Sequence, residues 1–338
     1  MSFKIILQPS GHEFEIEPEE TILDAALRHG YAFSYGCRAG ACGACKGKVV
    51  EGKFRYDGGE DPISLSANES TAGMCVFCQA YPESDMELEV KEITSSSEIE
   101  IKTLPTRIAK MEKLAPDVMR LFLKLPMMDR LQFLAGQYVD ILLRDGRKRS
   151  FSIANAPHDD ELLELHIRKV DNGVFTGRVF ESMAEKEMLR IEGPLGSFSL
   201  NEKSDKPIIF VAGGTGFAPI KGMIEHAFAE QTKRKMTLYW GVRDLDSLYL
   251  AELPEQWAMG NDNFEFIPVL SEPKAADNWS GREGFVHDAI AADITSFGEH
   301  EVYASGPPAM IKAARESFFE KGLSEDAFYF DSFEFAKD

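Results

Sequence analysis

Apolar and polar positions alternate with a period of two across residues 3–7 and 12–16, on either side of Pro9-Ser10-Gly11. That is the pattern of a hairpin. The period then lengthens. Ile22, Ala25 and Ala26 share a helical face, Thr21 and Asp24 stand as a capping-box pair, and Gly30 supplies a stop. Strands are predicted at residues 46–50 and 86–90. The stretch EITSSSEIEIKTLP (92–105) is polar, rich in serine and ends in proline, and reads as a linker. Over residues 106–200 short alternating runs (RIAKME, VMRLFLKL, YVDILL, RSFSIAN, LLELHIRKV, MLRIEG) are separated by glycine and proline. They predict an antiparallel β-barrel or sandwich, interrupted by one helix over 174–184. From residue 207 buried strands alternate with helices: PIIFVAGG, MTLYWGVR, FEFIPVL, then EVYASGPP and a helix over 308–321. That rhythm predicts an α/β parallel sheet. The expected organisation is multidomain, with units at 1–92, 106–202 and 203–338 and a linker at 93–105.

Length supports the division, because 338 residues exceed what one core normally holds. No apolar run approaches the ~18 residues of a membrane span. The apolar run at the N-terminus is far shorter than the ~7–15 residues of a signal-peptide core. A cytoplasmic protein is expected, and in a reducing compartment clustered cysteines bind metal or carry redox chemistry. The net charge of −19 repels phosphate backbones and anionic lipid, so neither nucleic acid nor membrane is an expected partner. Residues 1–92 hold 8 Lys/Arg against 16 Asp/Glu, a net −8. Such a face either keeps the protein soluble or steers it toward a basic patch on a partner.

The five cysteines are Cys37, Cys42, Cys45, Cys75 and Cys78. Cys37-x4-Cys42-x2-Cys45 is the plant-type [2Fe–2S] spacing, which needs one further distant cysteine. Gly36, Gly40 and Gly43, with Ala39, Ala41 and Ala44, let backbone N–H groups crowd toward cluster sulfides, and glycine admits the positive φ of a tight loop. A zinc ribbon competes, since Cys42-x2-Cys45 and Cys75-x2-Cys78 form a CxxC pair. That reading leaves Cys37 unused. Spacing alone leaves both Cys75 and Cys78 available as the fourth ligand.

TILDAALRHGYAFSYGCRAGACGACKGKVVEG, followed by CQAYPESDMELEV, resembles a plant-type ferredoxin domain over nearly all of residues 1–92. The resemblance implies a β-grasp α+β fold and the ligand set Cys37, Cys42, Cys45 and Cys78. Ser-Asp opens the family's final strand six residues after the last ligand, and Ser84-Asp85 stands six residues after Cys78. Cys75 is then a surplus thiol, a small buried residue on the approach to the cluster.

Farther on, Arg149-Ser150-Phe151-Ser152 resembles the Arg-x-Tyr-Ser motif of the ferredoxin–NADP reductase superfamily. The resemblance implies that Arg149 pairs with the FAD pyrophosphate, Phe151 packs on the isoalloxazine and Ser152 bonds near flavin N5. Phe151 keeps the stacking surface but lacks the phenol of the usual tyrosine. His166, Ile167, Arg168 and Val170 match the segment along the adenosine and diphosphate. Gly173-Val174-Phe175-Thr176 matches Gly-x-x-Ser, where a hydroxyl at a helix start brings N–H groups to the pyrophosphate. An ordinary helix cap would look the same.

Gly213-Gly214-Thr215-Gly216, Gly241-Val242-Arg243 and Ser305-Gly306-Pro307-Pro308-Ala309-Met310 resemble, in this order, the pyridine-nucleotide domain of the same superfamily. Ser305 stands where a cysteine normally sits beside nicotinamide C4, so a small polar group remains without the thiol. Asp244 and Asp246 suit a ribose 2′-hydroxyl and repel a 2′-phosphate, with Arg243 the only cation in that segment, so NADH is expected. Both aspartates would also suit a solvated loop. The aromatic tail offers Asp331 and Phe333 as the acid and aromatic that close the flavin site, or else a last strand packed on the sheet. Catalytic roles are expected for Ser152, Ser305 and Asp331.

The whole chain therefore resembles the iron–sulfur flavoprotein reductases, in the order ferredoxin, FAD domain, NAD domain. The resemblance implies hydride transfer from NADH to FAD and single electrons through [2Fe–2S] to a protein acceptor. Reductase components of ring-hydroxylating oxygenases and diiron monooxygenases share this order, as does the CDP-6-deoxy-glucoseen reductase family. The expected partner is thus an oxygenase or hydroxylase component, or alternatively a deoxysugar dehydratase. A flavin reductase fused to a structural zinc module is the reading of a different class.

Overall fold

A computed structural model describes residues 2–29, 31, 33, 35, 40, 43–90 and 99–333. Gly30, Gly36, Cys37, Ala39, Ala41 and Cys42 lie outside the described residues. The alternating runs at the start form strands Phe3–Gln8 and Glu13–Ile16, paired antiparallel with Phe3 opposite Ile16. They join a five-stranded sheet with Met86–Glu89, Lys46–Glu51 and Met74–Val76 in that order. Helix Ile22–Arg28 packs its apolar face on this sheet, burying Ile22, Leu23, Ala25, Ala26 and Leu27. Only half of its capping box forms: Thr21 Oγ1 accepts from the Asp24 N–H, while the Asp24 carboxylate takes the Thr21 hydroxyl.

Six antiparallel strands follow. In sheet order they are Lys148–Ser152, Tyr138–Leu142, Met188–Leu195, Lys102–Ala115, Val118–Lys124 and Leu162–Arg168. A bridge between Ile153 and Leu165 ties the two edges together, so the sheet closes on itself as a barrel around Ile108, Leu121, Leu123, Val139, Ile141, Leu163 and Ile191. Its first strand begins at Lys102, inside the stretch expected as linker. Leu104 is buried and residues 102–105 pair with Arg190–Gly193, so the alternation outweighs the polar composition there.

The last unit is a six-stranded, wholly parallel sheet in the order Arg282–Glu283, Phe264–Leu270, Met236–Val242, Ile208–Gly213, Glu301–Gly306, Phe328–Ser332. Chain order reverses beside Ile208–Gly213. Crevices at the carboxyl ends of strands next to such a reversal are where α/β sheets bind ligands. Helices Phe217–Ala229, Val286–Asp293 and Pro308–Glu320 cover the sheet.

Candidate active site

The sheet reversal sets the glycine turn and the Ser305 strand side by side. Gly216 begins the helix Phe217–Ala229, and a Cβ there would sit 2.0 Å from the Ser305 carbonyl oxygen. A Cβ on Gly213 would lie 2.6 Å from Met310 Sδ and 2.9 Å from Pro307. These glycines let two strand ends and the helix Pro308–Glu320 meet without side chains between them. Gly306 has φ +149°, which favours glycine, and Gly214 has φ +55°. The Gly214 carbonyl accepts from Trp240 Nε1 at 2.9 Å, and Trp240 stacks on Phe217 with ring centres 4.0 Å apart.

Ser305, Asp331 and Ser152 come together across 179 residues of sequence. Ser305 and Asp331 are direct register partners on neighbouring parallel strands. Asp331 in turn accepts a hydrogen bond from Ser152 Oγ on the barrel, Oδ2 lying 3.3 Å away. The Phe333 N–H donates to the Gly306 carbonyl at 3.0 Å. The tail is thus both an edge strand and the carrier of an acid at the barrel junction. Burial raises the Asp331 carboxyl above its ordinary range, with the Ser152 hydroxyl opposing it. Ser305 Oγ is fully buried and has no hydrogen-bond partner among the described residues. A buried orphan hydroxyl beside a half-buried acid, at the mouth of a nucleotide-type sheet, fits a polar ligand group at this point.

On the barrel, Phe151 lies beside Phe175 with ring centres 5.6 Å apart. Ser150 Oγ donates to Asp140 at 2.6 Å, and the half-buried Arg149 donates to the Lys148 carbonyl at 2.8 Å. Gly173 precedes the helix Val174–Glu181 and provides no side-chain cap. Thr176 Oγ1 accepts instead from the Val170 N–H at 3.1 Å and sets the loop that leads into the helix. Val174 is 57% exposed at the helix start.

Two residues of the next strand bury their side chains. Ile167 is buried in the barrel core, so only its backbone faces outward. His166 is also buried, with Nε2 2.8 Å from Glu164 and Nδ1 3.0 Å from the Tyr249 hydroxyl. A carboxylate only accepts, so Nε2 carries the proton and Nδ1 accepts from the phenol. Burial lowers the His166 pKa, so the ring is neutral. Glu164 is opposed by burial, yet the His166 hydrogen bond and the Lys221 ammonium at 3.1 Å hold it down at about 2. Lys221 is nearly buried, bridges Glu164 to Glu225 at 2.9 Å and donates to the Ala154 carbonyl at 3.2 Å. The side chains of His166 and Glu164 therefore fasten barrel to α/β unit. Arg168, two residues on, does point to the glycine turn: a Cβ on Gly214 would lie 2.7 Å from its Nη1. Its Nε also donates to Asp117 at 2.8 Å.

Gly241, next to last in its strand, packs against Val286, leaving no room for a Cβ. Beyond it stands a cation that the neighbouring sequence does not reveal. Lys274, about thirty positions downstream, contacts Asp244 at 2.8 Å and Asp246 at 2.9 Å. The hydrogen bond from Lys274 lowers the Asp244 pKa, with Ser247 adding to it. Two carboxylates thus share one ammonium, and the loop repels a phosphate less than its own sequence implies.

In the first unit, Gly40 and Gly43 have φ +71° and +70°, the left-handed backbone expected of this loop. Cys45, Cys75 and Cys78 are buried. The Phe77 N–H donates to the Cys45 carbonyl at 3.1 Å, tying the residue before Cys78 to Cys45. Cys75 lies in the strand Met74–Val76, and the Tyr56 hydroxyl donates to its sulfur at 3.6 Å. Burial pushes the Cys75 thiol up to about 12. Buried Cys45 and Cys78 under a loop of left-handed glycines suit a thiolate-bound cluster, whereas Cys75 is held as a neutral thiol.

Among the described residues, no helix is long and apolar enough to cross a membrane. Family models match along the chain as a 2Fe-2S iron-sulfur cluster binding domain (residues 5–83), an oxidoreductase FAD-binding domain (105–200) and an oxidoreductase NAD-binding domain (210–316). The chain is 39% identical to the CDP-6-deoxy-L-threo-D-glycero-4-hexulose-3-dehydrase reductase of Yersinia pestis, over 98% of this chain and 99% of the relative. It is 36% identical to the phenol hydroxylase P5 protein of Acinetobacter pittii, over 100% and 96% respectively. Among solved structures, a cytochrome P450 reductase of Amycolatopsis superposes with a TM-score of 0.65 at 32% identity, covering 98% of each chain.

Proposed function

The chain belongs to the family of oxidoreductases that join a 2Fe–2S domain to FAD-binding and NAD-binding domains, and from this premise we propose how its own residues divide the work. It is an electron-transfer reductase. FAD, when bound, accepts two electrons together and releases them singly, which links a hydride donor to a one-electron cluster. The convergence of Ser152, Asp331 and Ser305 carries the proposal. Ser152 and Asp331 hold and move a proton at the flavin face, the Ser152 hydroxyl meeting a carboxyl whose pKa burial raises. Ser305 orients the nicotinamide. Arg149 and the N-terminal turn of Val174–Glu181, set by Thr176, take the pyrophosphate charge. Phe151 packs on the ring system, with Phe333 closing it. His166 and Ile167 contribute backbone only, while Arg168, Val170, Gly173 and Val174 line the diphosphate. Gly213, Gly214, Thr215, Gly216, Gly306, Pro307 and Met310 form the nicotinamide pocket. Gly241, Arg243 and Asp244 hold the adenosine ribose of NADH, which we take as the donor. Cys37, Cys42, Cys45 and Cys78 hold the cluster. With the barrel taken to begin at Lys102, the proposed units are residues 1–92, 102–202 and 203–338.

The acceptor is a separate protein. The first reading is the terminal component of an oxygenase or hydroxylase, the partner class named for several relatives. The second is a nucleotide-sugar dehydrase, favoured by the 39% identity to dehydrase reductases. Anaerobic turnover with NADH and each purified acceptor type separates them: the true partner raises NADH oxidation and is itself reduced. Stimulation by free flavin alone, with no reduction of either protein, would sink both.

A further inference from the structure

The segment just before the cluster loop is fastened to the flavin barrel by one side-chain amide. Gln132 Nε2 donates to the Phe33 carbonyl, and Gln132 Oε1 accepts from the Tyr35 N–H at 3.2 Å. One amide thus meets a backbone carbonyl and a backbone N–H two positions apart, a two-point contact. Two residues away from this pairing stands Cys37. A second tie lies beside it: the Tyr35 hydroxyl donates to Asp160 Oδ2 at 3.1 Å. Asp160 is 2% exposed, with Arg130 Nη1 3.5 Å from Oδ1 and 2.8 Å from its carbonyl.

Both sides of this junction are anchored in cores. Leu131 and Phe133, flanking Gln132, are buried in the barrel. Phe33 and Tyr35 are buried in the first unit, and Phe33 meets Phe77 with ring centres 5.7 Å apart. Phe77 holds the Cys45 carbonyl and precedes Cys78. A short run of packed, hydrogen-bonded groups thus leads from barrel core through Gln132 to two candidate cluster ligands. Electron transfer between two centres depends steeply on their spacing, so a device that fixes the spacing fixes the rate.

We propose that Gln132, Asp160 and Tyr35 form a latch that holds the cluster-bearing unit against the flavin barrel, and that the latch controls electron passage from flavin to cluster and not hydride transfer from NADH. These are positioning residues, and the proposal rests on the electron path given above. Each NADH oxidised supplies two electrons, which reduce two ferricyanide or two ferricytochrome c.

The test compares the full holoprotein with Gln132→Met and Tyr35→Phe, both close in size to the parent residues. Flavin and iron content and the cluster midpoint potential serve as controls for folding. A cluster-free Cys45→Ser/Cys78→Ser variant gives the flavin-level reference. The expected result is NADH–ferricyanide reduction within about twofold of the parent and NADH–cytochrome c reduction lowered about tenfold, the factor expected when ordinary hydrogen bonds cease to favour docking. Stopped-flow bleaching of the cluster slows by the same factor. Unchanged cytochrome c reduction in both latch variants, with that activity lost in the cluster-free variant, overturns the latch and leaves the path standing. Cytochrome c reduction that persists at parent rate without the cluster overturns the path and the latch together.

Discussion

Replacing Gly216 with alanine tests the core of the nicotinamide site. The backbone tolerates the change, because Gly216 has φ −57°. Space does not. The new Cβ would lie 2.0 Å from the Ser305 carbonyl oxygen, 2.5 Å from its carbon and 2.9 Å from the Gly306 nitrogen. All three are backbone atoms of a central strand. Ordinary contact begins at 3.4 Å, so the glycine turn must retreat from Ser305 by about 1.4 Å. A misplacement of about 1 Å can cost a reaction about a hundredfold, which sets the expected fall in kcat/KM for NADH. Overpacking of this kind also removes about 1–3 kcal/mol of stability. The assay is steady-state NADH–ferricyanide reduction, with flavin content confirming that the barrel is intact. Gly260→Ala is the control, since nothing lies within 4 Å of its added carbon. Activity of Gly216→Ala within threefold of the control would refute the argument that this contact sets the donor's position.

Three further outcomes follow from the geometry. Cys78→Ser abolishes the iron–sulfur absorbance while Cys75→Ser, whose thiol is engaged by Tyr56, retains it; the reverse pattern would exchange their roles. Asp244→Ser/Asp246→Ser raises kcat/KM for NADPH relative to NADH by about tenfold by releasing Lys274, and adding Lys274→Ala cancels the gain; an unchanged ratio would mean that neither carboxylate reads the ribose. Lys221→Met leaves Glu164 without its ammonium and costs about 3–5 kcal/mol in urea unfolding, most of which Glu164→Gln/Lys221→Met restores; equal losses in single and double variants would show that the pair carries no coupling.

Strand and helix periods were readable where one face is buried and the other wet, as in Phe3–Gln8 or Ile208–Gly213. The strand from Lys102 was hidden because its first residues carry a lysine, a threonine and a proline, and only Leu104 marks the inward face. Motifs fixed the neighbourhoods of Ser152, Ser305 and Asp331, but not their pairing, since the Ser152–Asp331 contact joins different units. The direction of the His166 side chain had a local signal. Glu164, His166 and Arg168 alternate with Leu165 and Ile167, so all three lie on the face away from the barrel core. What lies against that face is set by Lys221 and Tyr249, which no spacing near His166 reveals. Lys274 and Gln132 escaped for the same reason: each acts through a contact with a distant segment, and neither belongs to a motif.

Anaerobic titration of the purified protein with NADH, followed by absorbance and electron paramagnetic resonance alongside metal analysis, bears most directly on the central claim. The account predicts iron and labile sulfide in equal amounts, flavin bleaching on NADH addition, and a reduced-cluster signal that requires the flavin. A yellow protein that contains zinc and no iron, or an iron cluster that NADH leaves oxidised while the flavin is reduced, would contradict it.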